Sequence, residues 1–254
     1  VKFIFRYYIL IITGWLISFN SQAQKEFYEE IIRFYDGFEK SDNSYNPPLK
    51  FINKNDLHLD NNLEVIQIML IRHGDPIIDT KGWFYFYEAS NFVDAYDTVG
   101  VYYVDHAPVS IQPGEILHVY CSPLQRAKST AEQLFGDQFD IIYDSSFVEF
   151  KNEIIPLPWI RLPLKFWRVS SRLVWMAGLH SSQVPSLSQQ KDRSREVAAR
   201  LGQLANKEKR VVLVAHGLLN RYIIRYLKKD GWQHSFDGGY GYLNVQVLSK
   251  ICKK

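Results

Sequence analysis

Four short stretches of this sequence carry residue types suited to handling a phosphoryl group: "RHG" at 72–74, "CSPLQRA" at 121–127, "FVEF" at 147–150 and "VAHG" at 214–217. An imidazole is a nitrogen nucleophile or proton carrier near neutral pH. The guanidinium groups of Arg72 and Arg126 offer planar forks of donors that match phosphate oxygens. A carboxyl group such as Glu149 can protonate a departing alkoxide if it holds its proton near the working pH. Each stretch alone has a plainer reading. A His-Gly pair after a strand is commonly a turn with a solvated histidine, and "SPLQRA" reads as a helix start with Ser122 as N-cap and Pro123 at the first helical position. The functional reading rests on all four occurring in one chain, each at an expected strand exit.

The surrounding pattern supplies those exits. Apolar runs predict strands at Val65–Ile71, Ile116–Cys121, Phe139–Tyr143, Val211–Ala215 and Leu243–Leu248, and helical spacing predicts helices over 89–99, 123–135, 164–178, 187–206 and 218–229. That alternation implies a three-layer α/β/α sandwich with a mostly parallel central sheet. "VIQIMLI" and "VVLVA" are apolar enough to be central strands covered on both faces, and each runs into a His-Gly pair. Ligands collect beyond the C-terminal ends of strands in such sheets, so His73 and His216 are expected in one pocket, with Gly74 and Gly217 letting a ligand approach the backbone.

At 254 residues, 46% of them hydrophobic, the chain can bury a large single-domain core, and disorder is excluded. A net charge of +3 from scattered basic residues gives nucleic-acid binding little support while remaining compatible with a small anionic ligand. Cys121 and Cys252 are the only cysteines, too few for a disulfide framework, and no Cys/His spacing suggests zinc. Lys2 and Arg6 precede the apolar run Tyr7 to Phe19, followed by Ser21-Gln22-Ala23. This pattern predicts a signal peptide over 1–23 cleaved after Ala23, or else an uncleaved anchor, hence a periplasmic or secreted protein, or one held at the inner membrane facing the periplasm. Residues 24–63 are expected to form a helix and a linker broken by "SDNSYNPPL", leaving 64–254 as the main domain.

"LIRHG", "CSPLQRAKSTA", "FVE" and "VAHG" together resemble the motifs of the histidine phosphatase superfamily, the phosphoglycerate-mutase-like fold, over roughly residues 65 to 249. The stretches "IPLPWIRLPLKFWRVSSRLVWMAG" and "VVLVAHGLLNRYIIRYLKKDGW" are similar to small bacterial phosphatase-like members rather than to glycolytic mutases. The resemblance implies that His73 is the nucleophile, that Arg72, Arg126 and His216 hold the phosphoryl group, and that His216 also assists the chemistry. It further implies a small phosphorylated substrate, hydrolysis of phosphate monoesters through a phosphohistidine, and no metal or organic cofactor. A phosphomutase, or a phosphate- or phosphoprotein-binding domain without turnover, is the alternative. Export argues against the mutase, whose substrates are cytosolic.

Glu149 is the expected acid, with Glu153 in "NEIIP" and Asp144 as rivals. Asp75, after "RHG", is expected to influence substrate fit. The aromatic and basic insert containing Trp159, Arg161, Trp167, Arg168, Arg172 and Trp175 reads either as a cap over the pocket or as a helix packed on the sheet. The helical spacing of 167, 168, 171, 172 and 175 favours the sheet-packed helix. Asn220 is placed near the pocket or in the helix interior, "DGGYGY" at 237–242 reads as a turn, and His58, His106, His118, His180 and His234 read as structural or surface residues.

Overall fold

The computed structural model describes residues 48–57, 60, 62–179 and 181–253. The expected signal segment and the helix expected before residue 40 lie outside the described residues. In chain order the main elements are β1 (Leu63–Arg72), β2 (Trp83–Phe84), α1 (Phe86–Thr98), β3 (Val119–Cys121), α2 (Gln125–Phe135), β4 (Ile141–Tyr143), β5 (Leu162–Pro163), α3 (Leu164–Met176), α4 (Leu187–Glu208), β6 (Arg210–Ala215), α5 (Gly217–Lys229), β7 (Gln233–Asp237) and β8 (Val245–Lys253). The six-stranded sheet has the order β4-β3-β6-β1-β8-β7. β4, β3, β6 and β1 run parallel, while β8 and β7 join antiparallel at one edge.

Alternation along β1 explains the layers. Met69 and Ile71 join Val212, Val214 and the α2 residues Ala127, Ala131 and Phe135 in one apolar cluster. Ile66, Ile68 and Leu70 are also fully buried and point to the opposite face, where α4 and α5 pack against β1. A strand covered on both sides has no polar face, and this is why "VIQIMLI" reads as one apolar run.

Several details differ from the sequence reading. β3 begins at Val119 rather than Ile116, after a Pro113-Gly114 turn, and the segment from Gln233 forms an edge strand that no apolar alternation advertised. α2 starts at Gln125 with Leu124 as its N-cap, so Ser122 does not cap it. The insert helix α3 does not join the sheet core. Its Leu164 and Trp167 pack with Ala89, Phe92 and Tyr96 of α1 in a second apolar cluster, and the Trp167 indole N–H donates to the Phe84 carbonyl at 2.7 Å. The two-stranded β2–β5 ribbon ties the start of this helix to the start of α1.

Candidate active site

The register of the central strands brings the two histidines together. Arg72 pairs with Ala215 across β1 and β6, so the next residues, His73 and His216, leave the sheet side by side. Their ring centroids are 5.2 Å apart. The ladder continues past the strand ends, with the His73 amide donating to the Ala215 carbonyl at 2.9 Å and the Ser122 amide to Val214 at 3.0 Å. His73 is 3% exposed, His216 fully buried and Arg126 2% exposed.

His73 is fixed in one tautomer. Its Nδ1 lies 2.8 Å from the Gly74 carbonyl, an acceptor only, so Nδ1 carries the proton and donates. The lone pair is therefore on Nε2. Burial, followed by the charges of Arg126 and Arg72, holds the imidazole well below the ordinary histidine range, which leaves it neutral at physiological pH. His216 is neutral for the same leading reason, burial, reinforced by Arg126. Its Nε2 sits 2.8 Å from the Ser122 hydroxyl, and its Nδ1 has no hydrogen-bond partner among the described residues. Ser122 Oγ also accepts from the Leu124 amide at 3.4 Å.

Two arginines flank the pair. The Arg72 guanidinium donates to the Tyr240 carbonyl and lies 4.4 Å from the centroid of the Tyr242 ring. Arg126, in the first turn of α2, reaches the C-terminal end of α1, donating to the Tyr96 carbonyl at 3.1 Å and to Asp97 at 2.6 Å. Its Nε has no partner among the described residues. The "RHG" and "SPLQRA" stretches are also joined directly, because the Gly74 amide donates to Thr130 Oγ1 at 2.9 Å and Thr130 donates to the Arg126 carbonyl at 2.7 Å.

The glycines serve packing rather than open backbone. A Cβ on Gly217 would stand 3.3 Å from Arg72 Nε, and one on Gly74 would stand 3.3 Å from Val101. Side chains occupy the space where the sequence suggested that a ligand would approach.

Glu149 is positioned by the start of α5. Its carboxylate accepts from the amides of Leu218 and Leu219, each at 3.1 Å, using donors that a helix leaves unpaired at its N-terminus. Glu149 also lines a cavity of about 190 Å³ together with Tyr96, Arg126, Lys151, Arg168 and Arg172. The rival carboxylates lie elsewhere. Glu153 is exposed and accepts from Ser181. Asp144 is ion-paired to Arg200; burial raises its pKa, but hydrogen bonds from Ser146 and Arg200 outweigh that and hold it low. Neither lines the cavity. Arg172 is buried and props the segment after Glu149, donating to the carbonyls of Phe150 and Lys151 at 3.0 Å.

The insert is thus not the sheet-packed helix that its spacing favoured: it packs on α1, and its Arg168 and Arg172 line the cavity beside Glu149. Asn220 is buried inside α5 and is not among the cavity walls. Tyr96, Asp97 and Tyr242 were missed from the sequence because none stands in a recognisable motif. Only the quoted "DGGYGY" held a signal, an unusual concentration of tyrosine in a turn.

A family model described as the histidine phosphatase superfamily (branch 1) matches residues 68–249. Among solved structures, a mycobacterial glucosyl-3-phosphoglycerate phosphatase aligns at 20% identity with a TM-score of 0.44, covering 73% of this chain and 91% of its own. A phosphoserine phosphatase from Entamoeba histolytica aligns at 17% with a TM-score of 0.40, covering 71% and 89%. An ecdysone phosphate phosphatase from Bombix mori aligns at 15% with a TM-score of 0.41, covering 74% and 92%. No curated protein sequence matches.

Proposed function

Because the chain belongs to the histidine phosphatase superfamily, we propose that it hydrolyses phosphate monoesters through a covalent phosphohistidine on His73. The observation that carries this reading is the tautomer of His73. With Nδ1–H committed to the Gly74 carbonyl and the ring held neutral, Nε2 presents a lone pair where Arg72, Arg126 and His216 converge.

In the first step Nε2 forms a bond to phosphorus as the ester P–O bond breaks, and Glu149 delivers a proton to the departing oxygen. In the second, water attacks phosphorus, Glu149 takes its proton, and the N–P bond breaks to restore neutral His73. Splitting the displacement in this way lowers each barrier. Arg72, Arg126 and His216 supply donors to the equatorial oxygens, where transition-state charge is spread. No step calls on a metal or organic cofactor.

The test is a release assay for inorganic phosphate over sugar phosphates, nucleotides, phospholipid headgroups and phosphopeptides, combined with acid-labile trapping of labelled phosphate on the protein. His73→Ala is expected to abolish both turnover and label. Glu149→Gln is expected to lower kcat about 10²–10⁴-fold while keeping label incorporation from an ester whose leaving group needs no proton. Full turnover in His73→Ala would sink the reading.

A further inference from the structure

Around His73, four side chains close a circuit that none of the sequence motifs contains. Arg72 lies 4.4 Å from the centroid of the Tyr242 ring, and Arg126 lies 4.6 Å from that of Tyr96. The two tyrosine hydroxyls are 3.2 Å apart and hydrogen-bonded. Both rings contact the imidazole of His73, with centroid separations of 5.5 Å for Tyr242 and 6.3 Å for Tyr96. The two tyrosines come from opposite ends of the domain, Tyr96 from α1 and Tyr242 from the turn before β8.

From this circuit we infer that Tyr96 and Tyr242 are positioning residues, a hydroxyl-to-hydroxyl brace that sets the spacing of the Arg72 and Arg126 guanidiniums on either side of the reacting nitrogen. The inference rests on the phosphohydrolase reading and deepens it. The physical need is clear from how each arginine is otherwise held. Arg72 also donates to the Tyr240 carbonyl in the same turn as Tyr242, and Arg126 is also tied to the Tyr96 carbonyl and Asp97 at the end of α1. Each guanidinium is thus anchored to its own segment, and the Tyr96–Tyr242 bond links those two segments directly across the site. Each ring face adds cation–π attraction that is stronger where water is excluded.

A brace acts on the charge that develops in the transition state, because small errors in donor placement weaken transition-state binding more than ground-state binding. It also predicts coupling. Removing either hydroxyl breaks the same single bond, so the second removal has nothing left to break.

The experiment measures kcat, KM and the inhibition constant for vanadate, a trigonal-bipyramidal phosphate mimic, in wild type, Tyr96→Phe, Tyr242→Phe and the double variant. Phenylalanine keeps both rings and their packing. Each single variant is expected to raise the vanadate constant and lower kcat by about 3- to 10-fold, the worth of one hydrogen bond, with KM changed less and the double variant no worse than either single. Tyr242→Leu, which removes the ring face as well, is expected to weaken vanadate further than Tyr242→Phe does, with thermal melting establishing that it is folded. Independent, multiplying losses in the double variant overturn the brace, as does tighter vanadate binding in a single variant, which would mark the pair as an obstruction. A wild-type chain that neither hydrolyses any ester nor binds vanadate overturns the phosphohydrolase reading itself, and the brace with it.

Discussion

At the scale of single residues, two buried neutral imidazoles tie folding to pH. In the unfolded chain His73 and His216 take up protons near pH 6.5, whereas in the native state burial and the neighbouring arginines hold both well below that value. Between the lowered native values and pH 6.5 the unfolded state binds more protons, so stability rises with pH across that window and is lost as pH falls through it. The slope for the two sites is at most about 2.7 kcal/mol per pH unit. Urea unfolding from pH 4.5 to 8 is expected to show a flat upper limb and this acid decline, with a shallower decline in His216→Gln. The acid limb of kcat/KM is likewise expected well below the ordinary histidine range; a midpoint near 6.5 would count against the proposed role of a neutral, buried His73. Much of this was legible in the sequence, since Arg72, His73, Arg126 and His216 all stand in short motifs at strand ends. Glu149 was less so, because "FVE" and "NEIIP" are equivalent as strings. What separates them is that only Glu149 meets the amides of α5, a contact across 69 residues of chain. The tyrosines were illegible for a related reason, as an aromatic acquires a role only from the guanidinium it faces.

Among the elements, the junction of β6 and α5 couples helix geometry to the site. Gly217 opens α5, and the space its missing side chain leaves is filled by Arg72. The Tyr240 carbonyl and the Tyr242 ring restrain that guanidinium from retreating. Gly217→Ala is therefore expected to split stability from activity. Alanine is the better helix former by up to about 1 kcal/mol in a helix interior, so the melting temperature should hold or rise. A Cβ at 3.3 Å displaces Arg72, and kcat should fall tenfold or more. Steady-state kinetics beside a thermal melt checks this, and unchanged kcat would show that Arg72 has room to give. The sequence predicted β1, β6, α4 and α5 closely because each carries a full period of apolar residues. It missed β7 and the β2–β5 ribbon, which are short, lie at edges and owe their pairing to neighbours.

For the domain as a whole, the two apolar clusters divide the labour. The sheet cluster fixes His73 and His216, whereas the α1–α3 cluster positions Tyr96 and the α3 arginines. Trp167→Ala, which empties a fully buried site, is expected to cost about 3–5 kcal/mol and to raise KM more than it lowers kcat. Hydrogen exchange should show α3 opening at lower free energy than β1 and β6, which are covered on both faces; equal protection would mean that the two clusters unfold as one. The strand order has a further effect during synthesis. β1 lies between β6 and β8, so it leaves the ribosome before either of its partners exists. Until they arrive, "VIQIMLI" carries two unpaired edges and two uncovered apolar faces, the features that make a nascent segment adhesive. Such distant pairing also slows folding. The rigid mount for His73 is thus exposed to misassembly on the way to the folded state, and yields should depend on holdase chaperones and dilution more than on any residue of the site.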